Sequence, residues 1–499
     1  MSSFLHLLAA DLIRKYPSFE DITIIFPNKR AGLFLAEELS RLIEHPVWMP
    51  EIITLSDFIL EETGLRKTND LILTIKLHKA YLQVSDSQEK FEDFYFWGNM
   101  LLNDFDDIDK YLVEAKALFS NLTALKNLEY SFPFLQPEQV EAIKKFWSTF
   151  NPDKYSKEQQ EFLKIWDKLY ALYSIFKKNL TEEKIAYEGM ALRHYLEHIQ
   201  DTRHKGPIIF AGFNALNLCE KQIFSHFQDT RQALFYWDYD LYYSANEYHE
   251  AGKYIRENLR LFPNELGKEY FNNFRHNGKS IEFISVPSTI GQAKVIPELL
   301  KGVSPQEDTQ TAIVLCDERM LLPVMHSIPD HIGKINITMG YPAQNTSVAS
   351  LIYLLGELRK YLKSETKGNY YYYKPVIALL NHKLVKDACP EEIDRITDYI
   401  HKKNIVYVAG KHLHFNSLTK AIFSTENQKT IDYILSVLQL LAHSPNAKEK
   451  EIHPIEKEFI FHILNQLQSL QNTFAEEGIE PEDKLYLQII NKVIHAVTV

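Results

Sequence analysis

The sequence predicts an α/β protein with two sheet-bearing regions, each joined to a large helical segment. Three observations carry that expectation. Residues 22–26 read as a buried strand, and the short apolar runs at 207–211 and 233–237 have the hydrophobicity of strands buried on both faces of a parallel sheet. The first strand ends at Pro27-Asn28 and is followed by a helical pattern, which is half of a βαβ unit. Residues 69–202, and the stretch after Ser347, carry their apolar residues at helical spacing instead.

The elements follow in order. A helix over residues 4–14 places Phe4, Leu7, Leu8 and Leu12 on one face. After the strand at 22–26, a helix from about Ala31 is expected to turn Leu33, Phe34, Leu35 and Leu39 inward. Residues 51–55 read as the next strand, with Ser56 or Asp57 capping the helix of Phe58, Ile59 and Leu60. The helical region 69–202 is rich in aromatics, among them Phe94, Trp97, Phe105, Trp147, Trp166 and Tyr173. Strands resume at 207–211 and 233–237, so the simplest reading is one α/β domain interrupted by a helical insertion. Residues 22–26 and 207–210 should then lie in a single sheet. A second α/β region is expected from strands at 281–286, 311–315 and 334–338, with helices over 292–300 and 320–328. The remainder is mainly helical. The implied domains are 1–68 with 203–275, the insertion 69–202, a second α/β part 276–350, and a helical part 351–499.

Composition narrows the function classes. A chain of 499 residues is too long for one compact core. Cys219, Cys316 and Cys389 are too far apart for a disulfide framework or a zinc ribbon. Asp11, Arg14 and Lys15 interrupt the N-terminal apolar stretch, so no signal peptide is expected. No window approaches the roughly 18 apolar residues of a membrane span. A reducing, cytoplasmic setting is the expectation. The net charge of −11 argues against nucleic acid being tracked over the whole surface. A nucleic-acid site would have to be a local groove, or belong to a partner.

Nucleotide hydrolysis requires a glycine loop ending in Gly-Lys-Ser/Thr after a strand. Gly278-Lys279-Ser280 has Asn273 where the first glycine belongs and precedes a strand instead of following one, so it reads as a turn. Hydrolysis also needs a carboxylate at a strand end to hold magnesium. The run at 207–210 ends in Ala211-Gly212-Phe213-Asn214.

Three segments bear a resemblance in sequence order. Residues 24–34, Ile-Ile-Phe-Pro-Asn-Lys-Arg-Ala-Gly-Leu-Phe, resemble motif Ia of superfamily I helicases, a strand ending in Thr-Asn-Lys-Ala-Ala. Residues 53–58 resemble motif Ib. Ala211-Gly212-Phe213, followed by Glu220, Lys221 and Gln222, stands where such helicases carry Asp-Glu-Phe-Gln-Asp. In this register Ala211 and Gly212 replace both acidic positions, and the phosphate loop would lie ahead of Met1. Residues 94–98, 101–109 and 336–342 also resemble the AddB-type subunit of helicase–nuclease complexes, in its inactivated superfamily I helicase form. The resemblance implies two RecA-like domains without a P-loop, each with a large helical insertion or extension. It further implies double-strand-break repair and recombination, an AddA-type helicase–nuclease partner, and no cofactor or metal on this chain. In that family a nuclease domain of Pro-Asp…(Asp/Glu)-x-Lys type follows. Glu482-Asp483-Lys484 matches only its last triplet, so the nuclease is expected to lie outside residues 1–499.

The residues implied for DNA are Asn28, Lys29, Arg30, Thr54 and Ser56. Two readings stand for Lys29 and Arg30: contact with phosphate, or a solvated helix start. Thr54, Ser56 and Asp57 are open to backbone phosphate contact or to helix capping. The run Asp104, Asp106, Asp107 and Asp109 has the look of a cation site but lacks the glycine and terminal glutamate of a calcium loop, and reads as a solvated acidic face. Trp237 reads as core, and Tyr371–Tyr373 as core or as a stacking surface for bases.

Overall fold

The first unit, Met1–Ile281, is organised around four strands. Helix α1 (Phe4–Lys15) leads into β1 (Thr23–Phe26), α2 (Lys29–Leu42), β2 (Glu51–Thr54) and α3 (Leu55–Thr63). The insertion comprises β3 (Arg66–Lys67), α4 (Asp70–Val84), α5 (Phe91–Lys110), α6 (Ala115–Ser120), α7 (Lys157–Glu182), β4 (Ile185–Ala186) and α8 (Glu188–Glu197). Then come β5 (Ile208–Ala211), α9 (Leu218–Asp229), β6 (Ala233–Tyr236) and α10 (Lys253–Leu261). This computed structural model describes residues 3–497 apart from 86–87, 121–156, 203, 205, 277, 279, 304–310, 334, 339, 341, 366–367, 388, 425–428 and 443–453. Trp147, Lys279 and the side chain of Trp166 lie outside the described residues.

The main sheet has the order β2-β1-β5-β6 and is parallel throughout. β1 and β5 are direct neighbours, pairing Thr23 with Ile208 and Ile25 with Phe210, although residues 27–207 separate them in the chain. Alternation along the strands explains their composition. Ile24, Phe26, Ile209, Ala211 and Tyr236 pack with Leu8, Leu12, Leu35 and Leu39 from α1 and α2. Ile25, Ile208, Phe210, Phe235 and Trp237 pack on the other side with α3, α9 and the insertion. Both faces are covered, so the strand interiors are apolar, and the polar Thr23, which donates to Glu51 at 2.7 Å, and Thr54 stand at strand ends. Trp237 is core, with its indole Nε1 donating to the Phe262 carbonyl at 2.9 Å.

Three local expectations are corrected. In α2 only Gly32, Leu35 and Leu39 are buried; Leu33 is 73% and Phe34 47% exposed. At 100° per residue, three consecutive apolar positions such as 33–35 cannot share one face, whereas positions 32, 35 and 39 do. The cap of α3 is Thr54, not Ser56 or Asp57: its Oγ1 accepts from the Asp57 N–H at 3.1 Å. The run at 104–109 is not uniformly solvated. Asp109 is fully buried, accepting hydrogen bonds from the Tyr173 and Tyr187 hydroxyls, with Lys177 at 2.9 Å and Arg193 at 3.4 Å. One carboxylate thus ties α5 to α7 and α8, where a helix face without partners would have turned outward.

The second unit, Glu282–Val499, contains α11 (Thr289–Leu300), α12 (Leu321–Met325), α13 (Ser347–Lys360), β7 (Leu362–Glu365), β8 (Gly368–Tyr372) and α14 (Tyr373–Leu380). It continues through α15 (Pro390–Lys402), β9 (Tyr407–Ala409), α16 (Ser417–Phe423), α17 (Thr430–Ala442), α18 (Pro454–Glu477) and α19 (Asp483–Ala496). Its sheet is β7-β8-β9 and antiparallel. The strands expected at 281–286, 311–315 and 334–338 form no ladder among the described residues, and Phe283 and Val314 are 92% and 84% exposed. The helices between them and the turn at Met320 bury a few residues, Ala293, Leu300, Met320, Leu321 and Val324, of which Ala293, Met320 and Val324 form one small cluster, and offer those segments little apolar surface to pack on. Residues 482–484 begin α19 and so form no strand. Among the described residues no helix is long and apolar enough to cross a membrane.

Candidate nucleic-acid interface

Chain direction across the main sheet reverses between β1 and β5: β2 is laid down on one side of β1, β5 on the other. In open parallel sheets the crevice beyond the strand ends at such a reversal is where ligands bind. A cleft of about 330 Å³ lies there. Its sheet side is made by Pro27 after β1, Leu55 and Ser56 after β2, and residues 212–215 after β5. The opposite wall is the neck of the insertion, where the two-residue strands β3 and β4 pair in parallel and place Lys67, Ala186, Tyr187 and Glu188.

Mostly apolar walls carry a few polar groups: the Ser56 hydroxyl, the Asn214 amide, Lys67, Glu188 and Glu220. Glu220 closes a capping box at the start of α9, its Oε2 accepting from the Asn217 N–H at 2.8 Å. Burial pushes its carboxyl above the ordinary value, and the nearby Glu188 adds to the rise. Glu188 meets Lys110 at 3.0 Å, and Lys110 also meets Asp106 at 2.7 Å. Burial works against the Lys110 charge, but these two carboxylates outweigh it and hold its ammonium above the usual value. Among the described residues, no three His, Cys, Asp or Glu side chains gather as a metal site.

The residues expected to meet DNA fall into three places. Asn28 caps α2, accepting from the Ala31 N–H at 3.1 Å, which puts Lys29 and Arg30 in the first helical turn. Lys29 is 78% exposed and reaches Asp57 at 3.2 Å, linking the starts of α2 and α3. The Thr54 hydroxyl donates to Asp57 at 2.8 Å; that hydrogen bond first, and Lys29 after it, hold the Asp57 carboxyl below its ordinary value. Thr54 itself is buried at 8% exposure, so its hydroxyl serves the cap and Asp57. Ser56 is half-buried and lines the cleft. Arg30 has no ion-pair partner among the described residues and lies 5.8 Å from the Phe34 ring centre. Lys29 and Arg30 thus share an exposed helix start, while Thr54 is withdrawn from it.

Ala211 is fully buried at the end of β5, and Gly212 takes a left-handed conformation, φ 71°, with its N–H donating to the Tyr236 carbonyl at 3.0 Å. A buried side chain and a residue that turns the chain with positive φ leave this strand end without a carboxylate. Sequence reading missed the neck residues Lys67, Tyr187 and Glu188, since two-residue strands carry no periodic signal. The exposed pair Leu33 and Phe34 was hidden by the run of apolar residues around it. No protein-family model matches the chain, and no curated protein matches it.

Proposed function

We propose that this chain is a non-hydrolytic, helicase-like subunit that binds single-stranded or forked DNA through backbone phosphates and works with an AddA-type helicase–nuclease in double-strand-break repair and recombination. One observation carries the reading. The strands that resemble motifs Ib and Ia and the acidic motif, β2, β1 and β5, are adjacent in one parallel sheet in that order despite the long insertion. A chance likeness of three short segments would not require them to be neighbours. On this reading the first unit is a RecA-like domain without a P-loop, and residues 276–350 are part of a second, supported by the spacing of α11 and α12 between three apolar segments.

Charge placement supports a polyanion at α2. Two cations in the first turn of a helix oppose its dipole, and among the described residues only Lys29 has a carboxylate to offset that. A phosphate beside Arg30 would complete the arrangement. The exposed Leu33 and Phe34 favour a second reading, in which the same helix start docks a protein partner and no longer contacts DNA.

The double variant Lys29→Ala/Arg30→Ala separates the two. In a fluorescence titration at several salt concentrations it should weaken DNA binding about equally for all sequences, and lower the salt slope by roughly one per lost phosphate contact. An unchanged affinity and slope would leave the interaction scaffold as the better reading. Magnesium-dependent ATP turnover that a substitution in this chain abolishes would remove the non-hydrolytic part of the proposal.

A further inference from the structure

The sheet of the second unit has two unlike faces. Tyr371 of β8 is fully buried on one, its hydroxyl donating to the Phe423 carbonyl at 2.9 Å, with Val408 of β9 opposite it. The residues on either side alternate to the other face. There Tyr370 pairs with Lys363 of β7, and Tyr372 with Tyr407 of β9. The Tyr372 ring centre lies 5.8 Å from that of Tyr361 and 5.9 Å from that of Tyr407. Tyr361 is 42% exposed, while Tyr370, Tyr372 and Tyr407 are half-buried. The Lys363 ammonium stands 3.9 Å from the centre of the Tyr407 ring, and that of Lys360 5.5 Å from the centre of Tyr361.

Charge distinguishes this sheet from the rest of the chain. Residues 360–374 and 402–411, which hold the three strands and their flanks, contain seven lysines and one carboxylate, Glu365, while Glu357 and Asp398 just outside them pair with Lys360 at 3.7 Å and Lys402 at 3.5 Å. The whole chain has 55 basic against 66 acidic residues. A positive tract of this density in an acidic protein selects for a polyanion, and clustered tyrosines select for planar rings. A neutral proline-rich segment would use the rings and gain nothing from the lysines.

We propose that the tyrosine face of the β7-β8-β9 sheet is a stacking platform for single-stranded nucleic acid. Bases stack on Tyr361, Tyr372 and Tyr407, while Lys363 takes a linking phosphate and Lys360, shared with Glu357, adds to the positive rim. Stacking tolerates any base, so the site reads strandedness, not sequence. This inference stands independently of the crevice in the first unit.

The test uses the full chain and labelled oligothymidylate and oligouridylate of about twelve nucleotides, followed by fluorescence anisotropy. Tyr361→Ala/Tyr407→Ala should weaken binding of at least one of them about tenfold or more, whereas Tyr361→Phe/Tyr407→Phe should stay within about twofold. Lys363→Ala should lower the salt slope by about one. The ratio of the two oligonucleotides in the unaltered chain assigns the site to DNA or RNA. Should the alanine pair fail to fold by circular dichroism, photocrosslinking of a thiothymidine oligonucleotide to the unaltered chain reads the same surface, with crosslinks expected within residues 360–411. No binding of either oligonucleotide, equal affinity in a folded alanine pair, crosslinks confined to other segments, or preference for a proline-rich peptide overturns the proposal. Binding lost in Lys29→Ala/Arg30→Ala but insensitive to the tyrosines overturns it while sparing the site at the start of α2; the reverse result sinks the α2 site alone.

Discussion

Asp109 belongs to a run of four aspartates in six residues, yet its environment is unlike that of the others. Its carboxylate is fully buried and meets two tyrosine hydroxyls and two cations that are themselves mostly buried. Removing one member of such a cluster leaves the opposing charges without a partner, which costs about 3–5 kcal/mol. Asp109→Ala should therefore lose stability on that scale in urea melts, and a loss under about 1 kcal/mol would show the network to be dispensable. A second buried carboxylate, Asp11, holds α1 to β6: Tyr236 donates to it at 2.7 Å and Lys15 reaches it at 2.8 Å, with Arg14 alongside. Burial alone would raise its carboxyl, but these partners outweigh burial and leave it below the ordinary value. A carboxyl lowered in the folded state stabilises fully above its unfolded value, near pH 4, and loses that stabilisation as pH falls through the folded one. The stability difference between the natural chain and Asp11→Asn should thus be largest near neutrality and shrink below about pH 4. Equal differences at pH 3 and pH 7 would mean the carboxylate charge contributes nothing.

At the scale of elements, what the sequence made legible was what periodicity and burial both mark. The strands β5 and β6, and β1 apart from Thr23, are apolar runs because helices cover both faces of their sheet. The start of α2 was legible too, although its inward face was not, since Leu33 and Phe34 are apolar yet exposed. The neck strands β3 and β4 were invisible at two residues each, and with them half of the cleft wall. Residues 281–286 and 311–315 present the opposite case: strand-like composition with no ladder among the described residues and exposed side chains. Composition states what a segment could bury, while pairing depends on neighbours that local pattern does not name. Hydrogen exchange separates the two. Amides of β1 and β5 should rank among the slowest in the chain, and those of 281–286 and 311–315 among the fastest. Slow exchange in the latter would show a ladder in the free chain and strengthen the case for a second RecA-like sheet.

For the molecule as a whole, the division at Ile281 and Glu282 sets how unfolding should look. Each unit has its own sheet and its own buried residues, which is the condition for each to unfold as its own cooperative block. The chain offers a built-in probe of this. All five tryptophans, Trp48, Trp97, Trp147, Trp166 and Trp237, belong to the first unit, so their fluorescence reports on that unit alone. Helices occur in both units, so far-ultraviolet circular dichroism reports on the sum. The two signals should give different midpoints in a urea or thermal melt, and the calorimetric enthalpy should exceed the van't Hoff value. Ligand linkage extends the argument, because a ligand that binds only folded protein raises the midpoint of the unit that holds it. A DNA strand held at Lys29 and Arg30 should shift the tryptophan transition, and one stacked on Tyr372 and Tyr407 should shift only the component that tryptophan does not see. Coincident midpoints with equal enthalpies would instead make the chain one cooperative block, and a ligand at either site would then move both signals together.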